Sequence, residues 1–294
     1  MITNKRVVFA VFPLLLICCS YNNGLTVCFT GDVMLDRGVR KRIERIGIDS
    51  LFKDAKPLFL SSDAVVINLE CPVTKRVSPL KKRYVFRAEP EWLPALRRQG
   101  ITHAAMANNH TIDQGREGIT DTYNNLLAAD ITPTGYGINQ REACKPVVIE
   151  KNGVRVAIFN AFLLRVEDWE LSEDEAGVCQ ASAEEISRGV KAFKESHPND
   201  YAVAVLHWGI EYMKEPTPRQ RDEARVLIDS GADAVIGHHP HVIQEEGIHR
   251  GKPIFYSLGN FVFDQKQTTG NAGLAVRLTF SRAGVTVERR YMKN

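Results

Sequence analysis

Six short apolar runs of this chain each end beside a residue that can ligate a metal or form a hydrogen bond. The runs cover residues 25–30, 64–67, 103–107, 201–206, 232–236 and 253–258. Their length and their β-branched residues are typical of buried strands. Several of the segments between them have the apolar spacing of helices. The alternation of strands and helices predicts an α/β fold built on parallel strands.

Polar side chains gather at one end of these runs. They are Asp32, Asn68, Glu70, Asn108, Asn109, His110, Asp113, His207, His238, His239, His241 and Asn260. Taken singly, Asp32 could be a helix N-cap, Asn109 a turn residue and His207 a buried core histidine. Together they follow the carboxyl ends of successive strands, where open α/β sheets bind their ligands. We therefore predict one site at that edge.

The densest of these motifs is Gly-His-His-Pro-His at residues 237–241. The spacing of His239 and His241 lets two side chains of one extended segment face a common ion or two adjacent ions. Neutral imidazole is a preferred ligand of zinc, iron, manganese and nickel. A loop whose histidines cap backbone groups is the structural alternative. Three imidazoles in four residues favour a metal site.

The chain opens with the pattern of an export signal. Lys5 and Arg6 precede an apolar run over residues 7–19. The run has about the length of a signal-peptide core and is shorter than a transmembrane helix. A buried N-terminal strand or helix is the alternative interpretation.

A small polar linker follows the apolar run. Residues 16–19 resemble a bacterial lipoprotein cleavage box with Cys19 as the acylated residue, although Cys18 stands where Gly, Ala or Ser is usual. An uncleaved membrane anchor also remains open. We predict that residues 1–24 are a signal peptide, or a lipoprotein or membrane anchor with a short linker. We expect residues 25–294 to form one domain, exported to a bacterial cell envelope.

Charge and cysteine content narrow the class of protein. A formal net charge of +3 on 294 residues is too small to predict a nucleic-acid partner, and the sequence has no stripe of Lys and Arg interleaved with aromatic residues. The chain has no Cys-x-x-Cys pair, which argues against a cysteine zinc site. We expect Cys28 and Cys71 to be buried thiols. Cys144 and Cys179 could form a disulfide, which the sequence leaves open.

The remaining segments fit the alternating pattern. Apolar periodicity predicts helices over residues 91–99, 119–128, 182–195 and 218–230. An Asn152-Gly153 turn predicts a β-hairpin between residues 147–150 and 154–160. Two alternating strands, 274–280 and 285–289, are predicted to close the chain.

The ordered motifs resemble one known family. They are Gly31-Asp32, Asn68-Leu69-Glu70, Asn108-Asn109-His110 with Asp113, His207-Trp208-Gly209, the histidine stretch 237–241 and Ser257-Leu258-Gly259-Asn260. The set looks like the CapA/PgsA family, which is named for poly-γ-glutamate capsule synthesis and belongs to the calcineurin-like metallophosphoesterase superfamily. The resemblance covers nearly all of residues 25–294. It implies a four-layer α/β/β/α sandwich with a metal pair at the strand ends.

The resemblance also implies roles for single residues. Two divalent ions, manganese, iron or zinc, would be held by Asp32, Glu70, Asn109, His207, His239 and His241. His110 would protonate the leaving group, and Asp113 would orient its ring and support its positive form. We expect Asn68, Asn108, His238 and Asn260 to support the site. Arg37 and Arg87 are candidates for contacting substrate, although surface arginines are usually solvated.

One position departs from the superfamily pattern. The first motif is usually Asp-x-His, and here its third residue is Met34. A thioether is a poor ligand for a hard or borderline divalent ion. We therefore expect the first ion, on Asp32, Glu70 and His241, to be bound more loosely than the second. Alternatively, His238 fills the missing position.

The sequence leaves three functions to compare. The first is metal-dependent hydrolysis of a phosphate ester, linked to capsule synthesis. The second is a non-catalytic, anchored accessory subunit that binds anionic polymer beside the membrane subunits of a capsule synthase. The third is hydrolysis of a γ-linked amide on the same metals.

Overall fold

The computed structural model describes residues 24–165, 172–265 and 272–293. The predicted export signal, with Cys18 and Cys19, lies outside these residues. No helix in the described part of the chain is both long enough and apolar enough to cross a membrane.

The described residues form fifteen strands, seven α-helices and two short 3₁₀ turns. The strands are β1 (Leu25–Val33), β2 (Ala64–Leu69), β3 (His103–Ala105), β4 (Thr132–Thr134), β5 (Tyr136–Gly137), β6 (Val147–Lys151), β7 (Val154–Phe162), β8 (Gly177–Val178), β9 (Tyr201–His207), β10 (Ala234–His238), β11 (Glu246–His249), β12 (Lys252–Phe255), β13 (Asn260–Val262), β14 (Ala272–Ser281) and β15 (Gly284–Lys293). The helices are α1 (Arg37–Ile46), α2 (Lys56–Leu60), α3 (Leu93–Arg98), α4 (Gly115–Ala128), α5 (Gln140–Ala143), α6 (Ala183–Ser196) and α7 (Pro218–Asp229). The 3₁₀ turns cover Ile48–Leu51 and Pro90–Trp92.

Two mixed sheets carry the architecture. The first has the order β15-β14-β1-β2-β3-β4, and β13 also pairs with β1. The second has the order β11-β12-β10-β9-β7-β6. Strands β1 to β4 are parallel to one another, as are β7, β9, β10 and β12. The carboxyl ends of these parallel strands are where the polar motifs of the sequence lie.

The sheets pack face to face, with helices outside. Phe29 of β1 and Val276 of β14 share one buried cluster with Val205 of β9 and Ile236 of β10. Helix α4 contacts β4 of the first sheet, whereas α6 contacts β7 and β9 and α7 contacts β10 of the second. The predicted four-layer α/β/β/α sandwich is therefore confirmed.

Local sequence signals explain where the helices of the second sheet begin. Ser182 accepts from Glu185 N, and the Glu185 carboxylate accepts from Ser182 N in return. Thr217 and Gln220 form the same reciprocal pair before α7, whose first residue is a proline. Each pair satisfies two amide groups that have no partner inside the helix. The predicted hairpin on Asn152-Gly153 is present as β6 and β7.

The cysteines separate as predicted. Cys28 and Cys71 are buried thiols, and burial raises the pKa of both. Cys144 and Cys179 form a disulfide across 35 residues of chain. The sequence left this disulfide open, and the fold forms it by bringing the two segments of chain together.

Gly31 lies inside strand β1. The strand continues through Val33, and Asp32 pairs in register with Asn68 and Asn260. A Cβ at position 31 would lie 2.0 Å from the carbonyl oxygen of Gly259. Glycine is needed because two backbones meet closely at this point.

Candidate metal centre

Candidate ligands from both sheets meet at one edge. Oxygen or nitrogen atoms of Asp32, Glu70 and His207 all lie within 4.8 Å of one another, and the three residues are buried. His241 joins them, with Nδ1 3.2 Å from Asp32 Oδ2 and Nε2 3.7 Å from Glu70 Oε1. Parallel strands whose carboxyl ends point the same way bring these residues together across 209 positions of sequence, from 32 to 241.

A second group of nitrogens lies beside Glu70. His239 Nδ1 is 3.1 Å from His207 Nε2, which is 3.9 Å from Glu70 Oε1. Two neutral imidazole nitrogens at this separation can both contact one ion, because metal–nitrogen bonds are about 2.0–2.1 Å long.

Buried oxygen atoms without a hydrogen-bond partner mark the site. Four such side-chain atoms occur in the described residues, and three of them are Asp32 Oδ2, Glu70 Oε1 and Asn109 Oδ1. Although Asp32 Oδ2 lies near His241 Nδ1, that nitrogen pairs with Asn260 Oδ1 at 2.9 Å. A buried polar atom without a partner costs about 1–3 kcal/mol. Divalent cations bound at this edge would give such oxygens a partner, so these residues fit a metal site.

The electrostatics of the site agree with that fit. Burial and then the charge of Asp32 raise the pKa of Glu70 well above its usual value. Burial lowers the pKa of His207, and it lowers that of His239 to about 3. Burial alone would lower the pKa of His241, but Glu70 and Asp32 raise it to about 9. Two buried carboxylates thus favour positive charge between them, and two neutral imidazoles are available as ligands.

Asparagines brace the oxygen ligands. Asn68 Nδ2 donates to Asp32 Oδ1 at 2.8 Å, and Asn108 Nδ2 donates to Asn68 Oδ1 at 3.2 Å. Asn108 Oδ1 in turn accepts from His110 N at 3.1 Å and from Thr111 N at 2.9 Å. Partners of this kind orient metal ligands and limit their rotation.

His110 lies at the wall of a cavity of about 250 Å³ above the ligand group. Its Nδ1 pairs with Asp113 Oδ2 at 2.7 Å, and the Phe86 ring packs against it with centroids 4.2 Å apart. Burial lowers the pKa of His110, although the hydrogen bond and the charge of Asp113 act in the opposite direction. The pairing expected of His110 and Asp113 is present, but burial outweighs the support that Asp113 gives to the charged ring.

The sequence interpretation missed Lys82. Its Nζ donates to Asp113 Oδ1 and, at 2.6 Å, to the carbonyl oxygen of Asn109. Phe86 N donates to the other Asp113 oxygen at 2.7 Å. Lys82 stands in a Lys-Lys-Arg run, which in sequence has the same pattern as solvated surface charge.

Met34 and His238, the two residues considered for the same ligand position, both form hydrogen bonds with backbone groups. His238 Nε2 pairs with the carbonyl oxygen of Thr30 at 2.9 Å, which ties β10 of one sheet to β1 of the other. Met34 Sδ accepts from Asp36 N at 3.0 Å and is fully buried. His238 Nε2 is therefore already hydrogen-bonded, which argues against the alternative that this nitrogen ligates the metal in place of a histidine at position 34.

The two arginines considered as substrate contacts differ in where their guanidinium groups lie. Arg37 lines the cavity, pairs with Asp264 and lies 4.9 Å from the centroid of the Phe86 ring. Arg87 donates to the carbonyl oxygen of Thr74 at 2.9 Å and to Glu89 at 2.8 Å, and it is not part of the cavity wall. These contacts hold the Arg87 guanidinium within its own loop.

Backbone strain collects around the site. Seven non-glycine residues of the described chain have positive φ, and four are Arg37 (51°), Tyr212 (64°), His239 (100°) and His241 (58°). Each such conformation costs on the order of 1–3 kcal/mol and persists only where surrounding contacts impose it. Gly237 precedes these histidines because a Cβ there would lie 2.0 Å from the Tyr256 carbonyl oxygen.

Comparisons with known proteins give matches over most of the chain. The family model described as bacterial capsule synthesis protein PGA_cap matches residues 26–265. The PGA biosynthesis protein CapA of Bacillus subtilis is 34% identical over 88% of this chain and 69% of that protein. The capsule biosynthesis protein CapA of Bacillus anthracis is 34% identical over 84% of this chain and 62% of that protein. The aligned part thus leaves about a third of each relative unmatched.

A solved structure is similar in fold. It is described as a putative 5'-nucleotidase from Staphylococcus aureus, and it aligns with a TM-score of 0.59 at 14% identity. The alignment covers 92% of this chain and 54% of that one. At this identity the similarity shows a shared fold and gives no information on the substrate.

Proposed function

The chain belongs to the bacterial capsule synthesis protein PGA_cap family, and on that premise we propose that it is an exported, metal-dependent hydrolase of phosphate esters in capsule biosynthesis. The observation that carries the proposal is the set of partnerless buried oxygens on Asp32, Glu70 and Asn109. Glu70 Oε1 lies 3.9 Å from Nε2 of His207, one of the neutral imidazoles at the carboxyl ends of the parallel strands. A core position would not leave three oxygens unsatisfied.

We assign two divalent ions, of manganese, iron or zinc, to this site. The first would be held by Asp32, Glu70 and His241, and the second by Glu70, Asn109, His207 and His239. When bound, such ions supply an activated water and positive charge for the phosphoryl oxygens.

The residues of the chain supply the proton and its placement. Because His110 Nδ1 is engaged by Asp113, Nε2 is the nitrogen left to donate to a leaving oxygen, which it does from the ring that carries a proton on both nitrogens. Phe86 limits rotation of the ring by packing against it. Arg37 stands at the cavity wall with its charge balanced by Asp264, and we assign it to the non-reacting part of the substrate.

Phosphate release tests the proposal directly. The full chain, loaded separately with manganese, iron or zinc, is incubated with 4-nitrophenyl phosphate. We expect turnover that disappears on chelation and returns on adding metal. The matched inactive control is His207→Ala. Absence of phosphate release with every metal would contradict the phosphatase proposal.

A second candidate is an anchored accessory subunit that binds anionic polymer beside membrane subunits of a capsule synthase. The names of the two Bacillus relatives, which describe biosynthesis, favour it. The hydrogen-bonded His110 and Asp113 favour catalysis instead, because a binding site needs no proton donor. Incubation with poly-γ-glutamate separates these functions. Binding without cleavage supports the subunit, and shortened polymer supports the third candidate, a γ-amide hydrolase.

A further inference from the structure

The loop between Thr74 and Ala88 folds around Asp113 and the residue after it. Leu80 N donates to the Asp113 carbonyl oxygen at 3.0 Å, and Phe86 N donates to the Asp113 side chain at 2.7 Å. Ser78 N donates to Gln114 Oε1 at 2.8 Å, one residue further along the chain. The loop therefore contacts Asp113, the hydrogen-bond partner of His110, and the adjacent Gln114.

Lys82 is the buried cation of this loop. Its side chain is 8% exposed, and that of Asp113 is 0% exposed. Its neighbours Lys81 and Arg83 are exposed. Burying an ammonium group is costly unless it is paired and hydrogen-bonded. Lys82 meets that condition with two acceptors, the Asp113 carboxylate and the Asn109 carbonyl oxygen.

We propose that Lys82 is a positioning residue that locks the Asp113 carboxylate and, through it, the ring of His110. Lys82 holds Oδ1, while Phe86 N and His110 Nδ1 share Oδ2. Three donors on two oxygens fix the plane of the carboxylate. The same ammonium holds the main chain of Asn109, the residue before His110. The proposal rests on the proposed function in that His110 is taken as the proton donor.

Lys82→Met is the first test, because it nearly keeps the volume of the side chain and removes the charged ammonium group. Lys75→Met is the matched control on the same loop, since Lys75 is 62% exposed and pairs with Glu89 and Glu91 rather than with Asp113. We expect Lys82→Met to lower turnover of an alkyl phosphate about 10- to 100-fold, the usual cost of losing an orienting partner. Turnover of 4-nitrophenyl phosphate should fall much less, because its leaving group needs little protonation. Metal content should not change.

Asp113→Asn and the double variant complete a cycle. If both residues act on His110, the double variant loses no more activity than Asp113→Asn alone. Equal losses on both phosphates, or losses that multiply in the double variant, would overturn the positioning role. If His110→Ala lowers turnover of both phosphates equally, His110 is not the leaving-group acid and the proposed function fails. The effect of Lys82 on the position of the His110 ring can still be measured separately.

That measurement is a nitrogen-15 spectrum of the histidine rings in the full chain. We expect the Nδ1–H resonance of His110 to be shifted far downfield by Asp113, and to move or broaden in Lys82→Gln but not in Lys75→Met. An unchanged resonance in Lys82→Gln would overturn the proposal regardless of the turnover measured for the variants. Failure of both Lys82 variants to fold would also overturn it, since Lys82 would then serve the loop and not the ring.

Discussion

The two sheets contribute unlike halves of the site. The first sheet and its loops supply the oxygen ligands and the proton donor, Asp32, Glu70, Asn109 and His110. The second supplies the imidazole ligands, His207, His239 and His241. The difference lies in what holds each group in place.

Side-chain hydrogen bonds hold the first half. Asn68 and Asn108 form a continuous network behind Asp32, and Asp113 with Lys82 does the same behind His110. Backbone geometry dominates the second half. His239 and His241 both have positive φ, and His239 Nδ1 pairs with another candidate ligand, His207. We infer that the second half is stabilised more by bound metal and the first half more by its own side chains.

The largest effect should come from the imidazole half. His207→Ala and His239→Ala each remove a nitrogen from the second ion, so metal should be lost and turnover should fall to background. Elemental analysis of purified protein measures this. His249→Ala is the control, because that histidine pairs with Asp229 away from the site. Unchanged metal content in both ligand variants would refute their assignment.

His110→Ala should act on chemistry alone. A leaving-group acid contributes about 10²–10⁴-fold, so turnover of poor leaving groups should fall by that factor while metal stays bound. Steady-state kinetics with alkyl and 4-nitrophenyl phosphates, alongside elemental analysis, measure both quantities. Loss of metal from this variant would make His110 a ligand and would remove the contrast between the halves.

Asn260→Ala tests the hydrogen bond by which the first sheet supports the second. Asn260 lies on β13 beside Asp32, and its Oδ1 pairs with His241 Nδ1. Removing it should weaken affinity for the first ion about 10- to 100-fold. Calorimetric titration measures the change. Asn125→Ala is the control, since Asn125, on α4, donates to the carbonyl oxygen of Val73. Unaltered affinity would show that backbone alone fixes His241.

Met34 should have a smaller effect. With a thioether at this position, we expect nearer one ion than two per chain at limiting metal. Met34→His should tighten the looser ion, by less than about tenfold because Met34 is turned to Asp36 N. His238→Ala should leave the number of ions unchanged, since its ring is bonded to Thr30. Calorimetry on both variants measures this, and loss of an ion from His238→Ala would restore His238 as a ligand.

The two arginines should give the smallest effect. Arg37→Ala should raise KM for a phosphate ester several-fold, because Arg37 lines the cavity. Arg87→Ala should leave KM within about twofold, because its guanidinium bonds Thr74 and Glu89. Kinetics on the pair measure the difference. A larger rise for Arg87→Ala would mean that substrate reaches beyond the cavity.

The sequence by itself determined the elements and the edge at which the candidate ligands lie. Alternating apolar runs and helical periodicity, the Asn152-Gly153 turn and the capping pairs before α6 and α7 are local signals, read within about one turn of helix or one strand. Residues at the ends of parallel strands must also meet, because parallel strands share one carboxyl edge. The site could therefore be predicted as a group.

Only the tertiary structure decided what the individual side chains do there. Gly31 meets Gly259, His238 bonds Thr30, and Lys82 reaches Asp113. Cys144 joins Cys179, whereas Arg87 bonds inside its own loop. A lysine or histidine has the same letter whether it is solvated or buried, and its role depends on desolvation and on partners at distances of about 3 Å. Those distances are set by the packing of two sheets, which brings residues far apart in the chain into contact.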